Sequence, residues 1–152
     1  MPKDKEKKIA NVINNMLKFN AEPTSACVRQ RLEFLGIEKS DINHHIRLLY
    51  QEGKISDLAQ IERDTEKYLR AFHGRKRAEE QLLASQYNTE QISLVLDSLY
   101  SNIDEFNLAL NCKVEKFGTG LPQSDEQRSQ IVFYLQRQGH KLPIVLQLLK
   151  EE

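Results

Sequence analysis

Apolar residues recur along this chain at two offsets, one near fifty residues and one about twice that. Leu32 is followed at these offsets by Leu82 and Leu135. Each lies in a segment whose apolar residues stand three or four positions apart, which is typical of one face of a helix. Such a period predicts tandem supersecondary units, which stack into elongated bodies that bind large partners. Further matches join Ile42 to Ile92 and Val145, Ile46 to Leu96 and Leu149, and Tyr50 to Tyr100.

The pattern predicts an all-α fold, since no convincing strand alternation is present. We expect three tandem three-helix repeats of about fifty residues, the last one shorter. A charged, frayed N-terminal tail of residues 1–8 precedes repeats at residues 9–56, 57–103 and 104–152. Pro23 and the two residues before it break the first helix, because proline disfavours helical geometry in its predecessor.

Capping residues predict where the other helices begin and end. Thr24 or Ser25 caps the second helix, Gly36 ends it in a left-handed conformation, and Ser40 opens the third. Later we expect a cap at Asn88 or Thr89, a capping box at Ser124 and Gln127, and a helix start at Pro143. The opening helix of the second repeat has an apolar face from Leu58 to Phe72 and is expected to end at Gly74. The opening helix of the third repeat has an apolar face of Phe106, Leu108, Leu110, Val114 and Phe117.

Composition narrows the functional classes. With 22 basic and 22 acidic residues the formal charge is zero, which argues against a strongly basic DNA coat protein but leaves local basic clusters open. Cys27 and Cys112 form no paired motif and are expected to be small buried hydrophobes. No segment resembles a signal peptide or a membrane span, so we expect a cytoplasmic protein.

Three segments resemble the RecX family of bacterial proteins. The run from Arg47 to Asp57 resembles the boundary between the first two RecX repeats, where Leu49, Gly53, Ile55 and Asp57 match. Lys67 to Leu83 is similar to the basic opening of the middle repeat. Arg128 to Leu149 resembles the C-terminal repeat, where Leu135, Arg137 and Gly139 match, whereas Gln60 and His140 stand where the family usually has aromatic residues.

This resemblance implies an elongated, curved helical protein that docks on RecA–DNA filaments. RecX proteins inhibit the ATPase, strand-exchange and coprotease activities of the RecA recombinase. The expected partner is therefore the RecA filament, with DNA within or near it, in recombination, DNA repair and the SOS response. We expect a monomer that acts without enzymatic activity.

A basic ridge is the sharpest local charge signal. On one helix Arg63, Lys67 and Arg70 share a face by their spacing. The ridge consists of these three residues together with Arg75, Lys76 and Arg77, and it is the leading contact candidate for the filament. A surface of this kind attracts phosphates or acidic protein surfaces, and its binding weakens with salt. The competing interpretation is a solvated face neutralised by Glu62, Asp64, Glu66, Glu79 and Glu80.

Other basic residues are weaker candidates. Arg128 and Arg137 lie in the last repeat and are included in the predicted partner-binding surface. By contrast, Arg29, Arg31 and Arg47 are interpreted as parts of ordinary exposed helices, because Glu33 and Asp41 lie close by in sequence.

No enzymatic signature is present in the sequence. We predict no catalytic residues, no cofactor and no metal, since His44, His45, His73 and His140 lack partners at metal-ligand spacing. Gly118-Thr119-Gly120 lacks the lysine of a phosphate-binding loop. Tyr50 and Tyr100 are interpreted as packing residues rather than as a platform for bases.

Two alternative functions remain open. One is a helix-turn-helix-like DNA-binding module, because each repeat contains two helices joined at a tight turn. Against it, the equivalent second helices carry few cations, and the one in the middle repeat is acidic through Glu90 and Asp97. The other alternative is a helical scaffold for an unidentified protein.

Overall fold

The protein is all-α, as predicted. The computed structural model describes residues 2–19 and 24–150, and within these ranges it contains nine α-helices and no strand. The helices are α1 (Pro2–Phe19), α2 (Ser25–Phe34), α3 (Lys39–Gln51), α4 (Leu58–Arg70), α5 (Arg75–Ala84), α6 (Thr89–Tyr100), α7 (Glu105–Phe117), α8 (Asp125–Arg137) and α9 (Leu142–Leu148).

The apolar side chains form three clusters. The first lies among α1–α3, the second among α4–α6 and the third among α7–α9, and we call these groups the first, middle and last helix sets. Across the described ranges, every pair of helices that packs extensively belongs to the same set. The predicted boundaries after residues 56 and 103 fall in the turns between the sets.

Residues at matching offsets occupy similar environments in the three sets. Leu32, Leu82 and Leu135 are each fully buried. The turn that follows this helix carries a residue of positive φ in each set: Gly36 at 77°, Gln86 at 63° and Gly139 at 94°. Burial of these leucines and a positive φ in the turn that follows thus recur with the apolar period.

Most predicted caps are confirmed. The side chain of Thr24 accepts a hydrogen bond from the Cys27 N–H at 3.2 Å, and Asn88 caps α6 in the same way. Ser124 caps α8 by accepting from the Gln127 N–H at 3.1 Å. The Gln127 side chain reaches back to the N–H of Gln123 at 2.7 Å, one residue before the cap.

Three predicted helix ends are wrong. The tail of residues 1–8 is helical from Pro2, and Lys5 in this stretch pairs with Asp41 at 3.1 Å. α3 begins at Lys39 after the N-cap Glu38, so Ser40 is not the cap. α4 ends at Arg70 rather than at Gly74, because the chain turns through Phe72 at a φ of 61°. The predicted break at residues 21–23 lies outside the described residues.

The predicted apolar face of α7 is only partly right. Ala109 and Cys112 are buried, whereas Leu110 is more than a third exposed. The thiol of Cys112 is free, and burial raises its pKa to about 11. Lys113 is buried as well, and its ammonium donates to the carbonyls of Gly118 at 2.7 Å and Gly120 at 2.5 Å. These two bonds compensate for the burial of the charge.

Candidate docking surface

One half of the basic ridge lies on α4. This helix buries Ile61 and Thr65 and exposes Arg63, Lys67 and Arg70. Its three cations therefore follow the side of the helix that faces away from the middle cluster, as their spacing predicted.

The other half of the ridge is the first turn of α5. Gly74 is the N-cap and supplies no side-chain cap, and Arg75, Lys76 and Arg77 follow without an acidic residue in the turn. A helix N-terminus already carries a partial positive charge, so cations here are locally unfavourable. Their concentration at this point creates a positive potential that favours an anionic partner.

The ridge residues differ in how far they are engaged within the chain. Arg75 pairs with Asp97 at 2.5 Å, and Arg63 donates to the Gln60 side chain at 3.0 Å. Arg77 is half-buried. A separate group is exposed and makes no hydrogen bond or ion pair with any described residue: Lys67, Arg70 and Lys76. These three are the cations most available to a partner.

One of the acidic neighbours of the ridge, Asp64, is engaged within the middle set. Asp64 accepts hydrogen bonds from the Tyr87 hydroxyl at 2.8 Å and the Gln60 amide at 3.0 Å. Its carboxylate therefore forms hydrogen bonds within the middle set. Asp97, from α6, contacts the ridge through Arg75.

The two candidates in the last set have different surroundings. Arg128 donates to the carbonyl of Leu149 at 3.3 Å and so supports the end of α9. Arg137 ends α8, and the two residues after it lie against the start of α5. Arg128 stands about 13 Å further along the α8 axis, given the helical rise per residue. Only Arg137 is therefore brought next to the ridge.

The contact that brings Arg137 there is a close approach of two turns. The N–H of Gly74 donates to the carbonyl of Gln138 at 2.8 Å. A Cβ atom on Gly74 would stand 2.3 Å from the carbonyl oxygen of Gly139. We call this contact, residues 72–77 against residues 138–141, the second joint. Besides this backbone contact, Phe72 packs against the third cluster and Leu108 of α7 packs against the middle cluster.

The first and middle sets meet at a buried carboxylate, Asp57. Its oxygens accept from the Ser25 N–H at 2.8 Å, the Ser25 hydroxyl at 2.7 Å and the Asn88 N–H at 2.8 Å. The hydroxyl of Tyr50 donates to the same carboxylate. The Asp57 N–H in turn donates to the Gln91 side chain at 2.7 Å. We call this network the first joint. The resemblance singled out Asp57, but its contacts with Ser25 and Asn88 could not be read from the sequence, because both lie more than thirty residues away.

The tyrosines at matching offsets are packing residues, as interpreted from the sequence. Tyr100 is buried in the middle cluster, and its hydroxyl donates to the carbonyl of His73 at 2.9 Å. Burial raises the pKa of Tyr100 to about 12. Burial and the hydrogen bond to Asp57 raise the pKa of Tyr50 well above its ordinary value.

A groove runs beside the ridge between the middle and last sets. Its volume is about 530 Å³, and α5, α7 and α9 line it. Leu108, Leu142 and Ile144 give it an apolar surface, and Lys76 and Glu79 stand on the α5 side. Lys141 crosses to Glu105 at 3.3 Å at the opposite side.

Two further features concern metals and membranes. Among residues 2–19 and 24–150, no cluster of three or more His, Cys, Asp or Glu side chains is arranged to hold a metal ion. No helix in these ranges combines the length and apolar character that a membrane crossing requires.

No protein-family model matches this chain, and no curated protein matches its sequence.

Proposed function

We propose that this chain is a RecX-type regulator that binds RecA–DNA filaments without enzymatic activity of its own. In this proposal it inhibits the ATPase, strand-exchange and coprotease activities of RecA. The observation that carries the proposal is the set of exposed, unpaired cations on α4 and α5: Lys67, Arg70 and Lys76. They lie in the segment that resembles the basic opening of the middle RecX repeat.

The proposal treats the three helix sets as tandem repeats in an elongated, curved body. The equivalent burial of Leu32, Leu82 and Leu135 supports this interpretation, as does the absence of extensive helix packing between sets in the described ranges. The boundary motif supports it too, because Leu49 and Ile55 are buried, Gly53 has a φ of 69° and Asp57 forms the first joint. A body connected by turns presents one long face to a filament.

Inhibition in this proposal comes from preferential binding. A ligand shifts a filament equilibrium only by as much as its affinity differs between the filament states. The ridge faces an anionic surface, either the phosphates of the filament DNA or acidic side chains of RecA. When the chain is bound along the filament, it favours a filament state that hydrolyses ATP more slowly.

The test is ATP hydrolysis by RecA on single-stranded DNA, titrated with the chain. We expect a slower rate when less than one copy is present per RecA protomer. An unchanged rate at a several-fold excess over RecA would contradict the proposal.

A matched pair of variants tests the ridge itself. The triple variant Lys67→Ala, Arg70→Ala and Lys76→Ala removes the unpaired cations and should weaken inhibition about tenfold, since exposed charge pairs contribute about 0.2–1 kcal/mol each. The control removes three other exposed cations by Lys39→Ala, Arg47→Ala and Lys150→Ala, so its net charge is the same. If the ridge variant keeps its native helicity and still inhibits normally, the ridge is not the surface that binds the filament.

The DNA-binding alternative is tested by the same protein without RecA. In this alternative α6 is the recognition helix of the middle set, and it exposes Glu90 and Asp97, of which Asp97 pairs with Arg75. An acidic helix is repelled by phosphates. Affinity for DNA alone that falls steeply with salt would favour this alternative over a filament regulator.

A further inference from the structure

The second joint contains two histidines that no part of the proposed function uses. His140 is buried, and its ring Nε2 stands 2.8 Å from the carbonyl oxygen of Phe72. Because a carbonyl accepts, Nε2 carries the proton and donates. His73 lies one residue further along the same turn and stacks on Tyr68 with ring centroids 5.9 Å apart.

The joint is held in an unfavourable local conformation. Phe72 has a φ of 61°, in the left-handed region that bulky residues rarely adopt. Its side chain packs against the third cluster, and its carbonyl is held by His140. Two buried nitrogens here, Nδ1 of His73 and Nε of Arg77, have no hydrogen-bond partner among the described residues. Strain and unsatisfied polar atoms of this kind persist only while the surrounding contacts remain closed.

Arg77 and His140 place positive charge beside His73, whereas the charged group that acts on His140 is Glu105. Burial, then Arg77 and then His140 lower the pKa of His73, and Glu115 on α7 acts in the opposite direction. Burial lowers the pKa of His140, while the hydrogen bond to Phe72 and the charge of Glu105 raise it. From the other adjoining helices, Tyr68 on α4 stacks on His73, and Tyr100 on α6 donates to the His73 carbonyl. Protonation of either ring therefore adds charge to a desolvated site, and at His73 the added charge is also repelled by Arg77.

We propose that the second joint is an acid-sensitive latch, in which protonation of His73 and His140 beside Arg77 releases the last helix set from the middle set. When the latch opens, each set keeps the helix packing within it, whereas Phe72 leaves the third cluster and Leu108 leaves the middle cluster. Opening relieves Phe72 and exposes the unsatisfied nitrogens to water. The latch does not depend on the identity of the partner.

The direction of the pH effect follows from proton linkage. The closed form binds fewer protons than the open form, so it is most stable at pH values where both rings are neutral. As the pH falls below the ordinary histidine value of about 6.5, the open form gains protons first. The ratio of closed to open chains then falls by up to about tenfold per pH unit for each histidine.

Hydrogen exchange of the Gly74 amide reports the latch directly, because this N–H donates across the joint to Gln138. The full chain is compared at pH 7.5 and 5.0, after correction for intrinsic exchange. We expect the protection of Gly74 to fall at least tenfold more than that of Leu82, which is buried within the middle cluster. A parallel change at both amides would overturn the proposal.

Variants and a direct titration complete the test. The double variant His73→Gln and His140→Gln keeps a side-chain N–H donor for Phe72 but does not titrate, so the extra loss at Gly74 should disappear. The matched control is His44→Gln on exposed α3, which should retain the wild-type response. If the double variant folds poorly, the titration of the His140 ring in the wild-type chain, followed by nuclear magnetic resonance, tests the latch instead. We expect its titration midpoint below the ordinary histidine value, and a midpoint at or above that value would overturn the latch.

Discussion

Replacing Gly74 with alanine tests whether the middle and last sets are held by close backbone contact. The added Cβ would stand 2.3 Å from the carbonyl oxygen and 2.5 Å from the carbonyl carbon of Gly139. Both atoms belong to the backbone, so no flexible side chain can move aside. The backbone of Gly74 itself has a φ of −72°, which alanine adopts readily. Backbone strain at residue 74 therefore adds nothing to the effect.

The magnitude follows from three contributions. Overpacking a closed contact costs about 1–3 kcal/mol. Separating the turns also loses the hydrogen bond from Gly74 to Gln138, which contributes about 1 kcal/mol. Lower entropy of the unfolded chain offsets about 0.4–1 kcal/mol of this loss. We expect Gly74→Ala to lower the free energy of unfolding by about 2–3 kcal/mol.

The assay is guanidinium unfolding followed by far-ultraviolet circular dichroism. Gly120→Ala is the matched control, because a Cβ there meets no atom within 4 Å and the residue has no positive φ. It should leave the free energy of unfolding unchanged or raise it by less than about 1 kcal/mol. If Gly74→Ala proves as stable as Gly120→Ala, the close contact of the second joint does not exist as described.

Two further substitutions test buried charges. Asp57→Asn removes a carboxylate that accepts from Ser25, Tyr50 and Asn88, and should cost about 3 kcal/mol in unfolding experiments, because hydrogen bonds to charged groups are the stronger ones. A loss below about 1 kcal/mol would contradict the first joint. Lys113→Met keeps the apolar stem but leaves the carbonyls of residues 118 and 120 without their donor. Proteolysis within residues 118–123 should therefore become faster than in the wild-type chain. Equal cleavage rates would show that Lys113 does not hold this connector.

The local parts of the fold were predictable from the sequence. Gly36 and Gly53 end their helices in left-handed conformations, and Asn88 and Ser124 cap theirs, since these effects depend on neighbours within a few residues. Helical spacing identified the buried leucines of all three sets for the same reason.

The joints were not predictable, because they depend on residues distant in sequence. An aspartate is usually exposed, so the sequence does not predict that Asp57 is buried. Its burial depends on its contacts with Ser25 and Asn88. Gly74 looked like a helix end, whereas its lack of a Cβ serves the contact with Gly139.

The same limitation applies to the basic ridge. Its residues were identified from local charge, but which of them are available depends on partners that the sequence does not reveal. Asp97, on another helix, engages Arg75, and Arg128 supports the end of α9 instead of joining the ridge. The unpaired cations are thus a subset of the predicted site.

Cosedimentation with RecA filaments tests the central claim most directly. The chain is mixed with RecA on single-stranded DNA and, in parallel, with the same DNA alone at moderate salt. We predict that it sediments with the filament and remains in solution with DNA alone, and that the Lys67, Arg70 and Lys76 triple variant sediments less. Failure to sediment with a several-fold excess of filament, or equal sedimentation with DNA alone, would contradict the proposed function.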